Sequence, residues 1–151
     1  MAVFVADEQA HPVDADRLRR LGAYVLAEQQ VPEAMELSLL CVDPEAIGQL
    51  NAHHMGVEEP TDVLAFPMDL PGESRPGEPS ILGDVVVCPQ IAAAQAPDHH
   101  TTAEAEIDLL VVHGILHVLG QDHADPEERR RMFILTDRLL DGFRALEGSS
   151  S

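Results

Sequence analysis

Every strand-like run in this chain lies before residue 90, and the remainder reads as helix to the end. Residues 2–6, 35–42, 62–66 and 82–88 are short, apolar and bounded by polar residues, Pro or Gly. Strands gathered early and the longest helices late predict an α+β fold: one small four-stranded mixed sheet packed by about five helices. A first helix is expected over 14–30, where Leu18, Leu21, Val25 and Leu26 recur at helical spacing. Asp43-Pro44 supplies a cap and a first-turn proline for a second, short one. A third is expected over 91–96, ended by Pro97, and a fourth over 103–119, behind the capping-box spacing of Thr101 and Glu104. The last starts at Asp125-Pro126, with Met132, Leu135, Leu139, Phe143 and Leu146 on its inner face. Residues 67–80, crowded with proline, glycine and acid, read as a surface loop. A single domain is expected over 1–147, with 148–151 as a flexible tail.

Charge narrows what such a domain can bind. The chain has 27 acidic residues against 9 basic ones, a net charge of −18, and none of its cations is a lysine. Aromatic residues make up 3%. A basic groove with stacked aromatic side chains, the usual way to hold single-stranded nucleic acid, would look nearly opposite. If the protein acts on a polyanion, repulsion must be offset locally, most simply by a metal ion. Cys41 and Cys88 sit in apolar runs and read as small buried hydrophobes rather than a disulfide framework. The first eight residues lack the basic region of a signal peptide, and no apolar run is long enough to cross a bilayer. A cytoplasmic protein with no membrane partner is expected.

The segment 111–123, Val-Val-His-Gly-Ile-Leu-His-Val-Leu-Gly-Gln-Asp-His, carries the chemistry. His113 and His117 are four apart on a predicted helix, so their rings project from one face about one turn apart. Gly120 can adopt the left-handed conformation that reverses the chain, bringing His123 back toward that face. Three neutral imidazoles with a fourth position left for water describe a catalytic zinc site, and an unligated trio would leave buried ring nitrogens seeking partners. One ion is expected, Zn2+ first, although imidazoles also accept other divalent metals. Asp122 could orient a ligand ring or the water on the metal, or simply close a turn. The spacing His-x-x-x-His-x-x-Gly-x-x-His is that of metzincin peptidases, where the residue after the first histidine is a glutamate base. Here that residue is Gly114, so peptide hydrolysis is demoted and no protein base is assigned.

The same segment resembles the His-Gly-x-Leu-His-x-x-Gly-Tyr-Asp-His signature of the YbeY endoribonucleases. Leu50-Asn51, Pro60-Thr61-Asp62-Val63-Leu64-Ala65-Phe66-Pro67 and Leu82-Gly83-Asp84-Val85-Val86-Val87-Cys88 agree in order. The resemblance implies a zincin-like metal-binding helix and a metal-dependent, single-strand-specific endoribonuclease. Such an enzyme would mature ribosomal RNA, notably the 3′ end of the small-subunit RNA, and act in ribosome quality control. His113, His117 and His123 would be the zinc ligands; ribosomal RNA and small-subunit proteins would be the partners of a monomer. The chain departs from the family pattern at Met55 and Val57, where cations are common, and at Gln121, where tyrosine is usual.

These departures and the acidity motivate a second reading, a non-catalytic ribosome-assembly factor whose metal is structural. Thr61-Asp62 is either a cleft wall or a strand-entry turn. Arg129, Arg130 and Arg131 read mainly as a solvated face pairing with Glu127 and Glu128, with one or two able to reach a substrate phosphate. His53-His54 and His99-His100 are expected to face solvent.

Overall fold

The computed structural model describes residues 2–55, 61–69, 80–120 and 125–149. Among these it has four strands, β1 (Ala2–Glu8), β2 (Met35–Val42), β3 (Val63–Pro67) and β4 (Ser80–Val87). Five α-helices accompany them: α1 (Ala15–Glu28), α2 (Pro44–Met55), α3 (Pro89–Gln95), α4 (Ala103–Val118) and α5 (Pro126–Ser149), with a 3-10 turn at Ala96–His99. The sheet order is β1-β2-β4-β3. β1 and β4 flank β2 in parallel, and β3 runs antiparallel on the outer edge of β4, so the sheet is mixed as expected.

Alternation along the strands builds two apolar layers. Leu37, Leu39, Cys41, Val85 and Val87 face the larger one, with Leu21 and Val25 of α1, Val111, Ile115 and Leu116 of α4 and Leu139 and Phe143 of α5. Val42, Val86 and Cys88 face the other, where Ile47 of α2 covers them. Both cysteines are fully buried, as their apolar runs implied. α4 is buried around most of its circumference, which its sequence requires, because a helix apolar on nearly all sides has no face to offer water. It lies flat on the sheet at Gly114, where a Cβ would come 2.6 Å from Val85 Cγ1 and 3.3 Å from Val63 Cγ2.

Local signals placed most helix starts. Asp14, Asp43 and Asp125 accept from the backbone N–H of Arg17, Ala46 and Glu128 at 3.0, 2.8 and 2.8 Å. At α4 the expectation shifts by one residue. His100 takes a left-handed conformation (φ 54°), and the cap is Thr102, whose Oγ1 accepts from Ala105 N at 3.1 Å, so Thr101 and Glu104 do not form a capping box. α2 is longer than the short helix expected. On α5 Met132, Thr136, Leu139, Leu140 and Phe143 are buried and Leu135 packs against the core in part, as expected, whereas Leu146 is 56% exposed. α5 also continues to Ser149, so the first two residues of the expected tail are helical. Within the expected loop 67–80, Met68 and Asp69 still donate to the backbone of Leu82 and Ile81, and 70–79 lie outside the described residues.

Candidate functional site

The C-terminal half of α4 turns two half-buried imidazoles toward a cleft beside β3. His113 Nε2 and His117 Nε2 stand 3.1 Å apart, with ring centroids separated by 4.6 Å and planes at 70°. Two nitrogens bound to one tetrahedral ion through ~2.05 Å bonds would be about 3.3 Å apart, so this pair fits a shared zinc-sized cation with almost no movement.

The helix end that should bring in a third ligand is built as expected. Leu119 N donates to Ile115 O and Gly120 N to His117 O, each at 3.0 Å, and Gly120 adopts φ 94°, a region that costs glycine no Cβ clash. Asp122, His123 and Gln121 lie outside the described residues, as does Val57. Among the described residues no third His, Cys, Asp or Glu joins His113 and His117 in a ligand set.

Two cavities meet at His113. One, of about 400 Å³, is lined by Asn51, Thr61, Val63, Leu64, Ala65, Pro67, His113, Gly114 and His117. Both imidazoles therefore open onto a space that a substrate can enter. The other, of about 220 Å³, holds Asp62, His99, Glu106, Leu109, His113, Phe133 and Thr136 among its lining residues. Thr61-Asp62 thus serves as both cleft wall and strand-entry turn. The side chains border the cleft, while Asp62 O accepts from Cys88 N at 3.0 Å at the entry to β3. Gly114 also acquires a second meaning. It is wedged against the sheet, so a glutamate at this position would strike Val85.

Several groups of this neighbourhood carry no signal in the sequence. Glu106 is 2% exposed, and both of its oxygens lie at 3.0 and 3.1 Å from His99 Nδ1. His99 still faces solvent over half its side chain, as expected, but its inner nitrogen is engaged. Asn51 is marked in the sequence only by its motif, yet it lines the larger cavity, and no spacing or motif singles out Phe133. Of the three arginines opening α5, Arg131 pairs with Glu127 at 2.8 Å, as a solvated face would. Arg129 instead borders a recess with His113, Met132 and Phe133. His53 is exposed.

At the other end of α4 a second pocket of about 410 Å³ is lined by His11, Asp14, Arg17, Glu104 and Asp108, among others. Its Arg17 Nη1 donates to Asp108 Oδ1 at 2.7 Å, and the guanidinium lies 5.4 Å from the Phe143 ring centroid. Burial pushes the Asp108 carboxyl above its ordinary value even though Arg17 pulls it down, and the same contact raises Arg17.

Comparison with known proteins bears on the whole chain. The family model described as endoribonuclease YbeY matches residues 4–144. The endoribonuclease YbeY of Thermobifida fusca is 50% identical over 150 residues, covering 95% of this chain and 95% of its own. That of Nocardioides sp. is 48% identical, covering 96% and 99%, and that of Kineococcus radiotolerans 51% identical, covering 98% and 90%. A Thermotoga maritima protein solved in solution shares the fold at a TM-score of 0.66 and 24% identity, over 98% of this chain and 93% of that one. Matched along nearly its full length by these sequences, the chain belongs to the endoribonuclease YbeY family.

Proposed function

We propose that this protein is a metal-dependent endoribonuclease that cuts single-stranded RNA in ribosomal RNA maturation. The observation that carries the reading is the pair of Nε2 atoms, 3.1 Å apart, opening onto a cleft of about 400 Å³ in a chain of this family. His113, His117 and His123 would hold one divalent ion, zinc by preference, on a zincin-like helix, and Asp122 would steady the ligand set. When bound, the ion would supply Lewis acidity and charge neutralisation to a phosphodiester. The chain's own part is to hold two imidazoles on a rigid helix and to shape the cleft with Asn51, Thr61 and the β3 side chains. Its work would include the 3′ end of small-subunit RNA and ribosome quality control, with small-subunit proteins as partners of a cytoplasmic monomer. No helix among the described residues is long and apolar enough to cross a membrane.

Peptide hydrolysis is disfavoured, since position 114 offers no base and no room for one. A purely structural metal is disfavoured by the open side of the imidazole pair, because structural zinc sites are closed by four protein ligands. The test is cleavage of a single-stranded fragment of small-subunit ribosomal RNA by purified protein, beside metal analysis of the same sample. Cleavage should disappear on chelation and return with the ion, and His117→Ala should lose both metal and cleavage. Cleavage that survives chelation and this substitution would overturn the reading.

A further inference from the structure

Helix α5 presents two exposed side chains beside His113. Arg129 and Phe133 are four residues apart, so they lie on one face a turn apart. Both border the recess that contains His113 and Met132, and Phe133 also borders the cavity of His99, Glu106 and His113. Phe133 is 57% exposed although its neighbours Met132 and Thr136 are buried at 3% and 2%. Burial of those neighbours sets which face of the helix turns inward, so the packing itself holds the ring outward. The chain has four phenylalanines, one tyrosine and no tryptophan, and here one of those few rings is left exposed beside His113. Arg17, Arg19, Arg20 and Arg131 end on carboxylates; among the described residues Arg129, like Arg130, Arg138 and Arg144, has no carboxylate partner, and of these four it is the one that borders His113.

We propose that Arg129 and Phe133 form a nucleotide-binding ledge on the α5 side of His113, along the recess they share with it. The Phe133 ring stacks on one base of single-stranded RNA, and the Arg129 guanidinium holds an adjoining phosphate. This rests on the endoribonuclease reading and adds to it the groups that seat the substrate. An aromatic face accepts any base, which suits a single strand and excludes a duplex whose bases are already stacked. A guanidinium fork matches phosphate oxygens, and it places a positive charge where a chain of net charge −18 most needs one. Loss of one stacked base weakens binding by about tenfold or more.

The experiment uses a fluorescein-labelled 12-nucleotide oligouridylate, read by anisotropy for Kd and by steady-state cleavage for kcat and KM. Phe133→Leu should raise Kd and KM about tenfold with kcat within twofold, and Phe133→Tyr should restore both. Arg129→Gln should weaken binding and flatten the dependence of log Kd on log salt by about 0.7, the share of one phosphate on a single strand. Arg138→Gln, the same charge change farther along α5, should do neither. Circular dichroism confirms that each variant is folded. If wild-type protein binds the oligonucleotide without cutting it, the endoribonuclease reading fails while the binding arm still tests the ledge. Unchanged Kd and salt slope in both Phe133→Leu and Arg129→Gln would overturn the ledge. So would a Phe133→Leu defect confined to binding of purified small ribosomal subunits, which would make the ring a protein contact.

Discussion

Helix α4 carries ionisable side chains in both halves, and the halves dispose of them differently. In the first half Glu106 and Asp108 are 2% and 1% exposed, and each ends on a basic group from another element, His99 and Arg17. Acid meets base, and the contact closes on itself. In the second half His113 and His117 meet each other through their Nε2 atoms. Two imidazole nitrogens do not complement one another as acid and base do, and their spacing is the one that a shared cation would take. One helix on one sheet thus separates groups that finish the fold from groups that invite a ligand. Chemical complementarity of the neighbour, rather than burial alone, marks the difference.

The comparison breaks most visibly at the second half. If His117 holds the proposed ion, His117→Ala should lower RNA cleavage by about 100-fold or more, since losing a ligand exceeds the 10–100-fold cost of losing its supports. Its unfolding temperature, measured without added metal, should stay close to that of the parent.

The first half should behave in the opposite way, with stability changed and chemistry spared. Arg17→Met leaves Asp108 buried without its partner and should cost about 3 kcal/mol, or roughly 6–12 °C in Tm, with KM unchanged. Asp108 already titrates above its ordinary 3.8 with Arg17 present, and without Arg17 it should titrate higher still. A raised folded value means that the carboxyl's contribution to stability is complete below 3.8 and is lost as pH rises through the folded value. The Arg17→Met penalty should therefore grow with pH, and denaturant unfolding from about pH 4 upward would show it. A penalty that shrinks would break the assignment.

Smaller effects sharpen the boundary between the halves. Gly114→Ala forces a methyl against Val85 and should cost about 1–3 kcal/mol through overpacking, read by denaturant midpoint. Glu106→Gln keeps an acceptor for His99 and should cost no more than about 1 kcal/mol. The least expected change concerns Cys41, whose thiol burial pushes up to about 12, with Asp7 and Cys88 adding to the effect. It should stay inert to a disulfide reagent at about pH 8, near the ordinary thiol value, until the protein unfolds.

How much of the molecule is legible in its residues depends on the range of each interaction. Asp14, Asp43 and Asp125 act on the next turn, so their caps can be read directly. The spacing of His113 and His117 is likewise local, and the imidazole pair needs no tertiary contact to be recognised. The α4 cap moves to Thr102 because His100 turns left-handed, a choice that the 3-10 turn before it makes and composition does not announce. Leu146 continues the α5 stripe in sequence but is exposed in the fold, which spacing alone does not announce. The Glu106–His99 pair, the cleft position of Asn51 and the outward set of Phe133 depend on how elements pack, and no spacing rule reaches them.

The strand order also bears on how the molecule comes together. In β1-β2-β4-β3 the strand β1 reaches β2 through the single helix α1, whereas β4 pairs with β2 only after α2 and β3 have intervened, a non-local pairing of the kind that forms slowly. The imidazole pair needs only one turn of helix. All four strands, with Asn51 and Thr61, precede α4 in the chain, so during synthesis the residues that wall the cleft emerge before the helix that carries the imidazole pair, and the site is complete only once that helix has packed on the sheet.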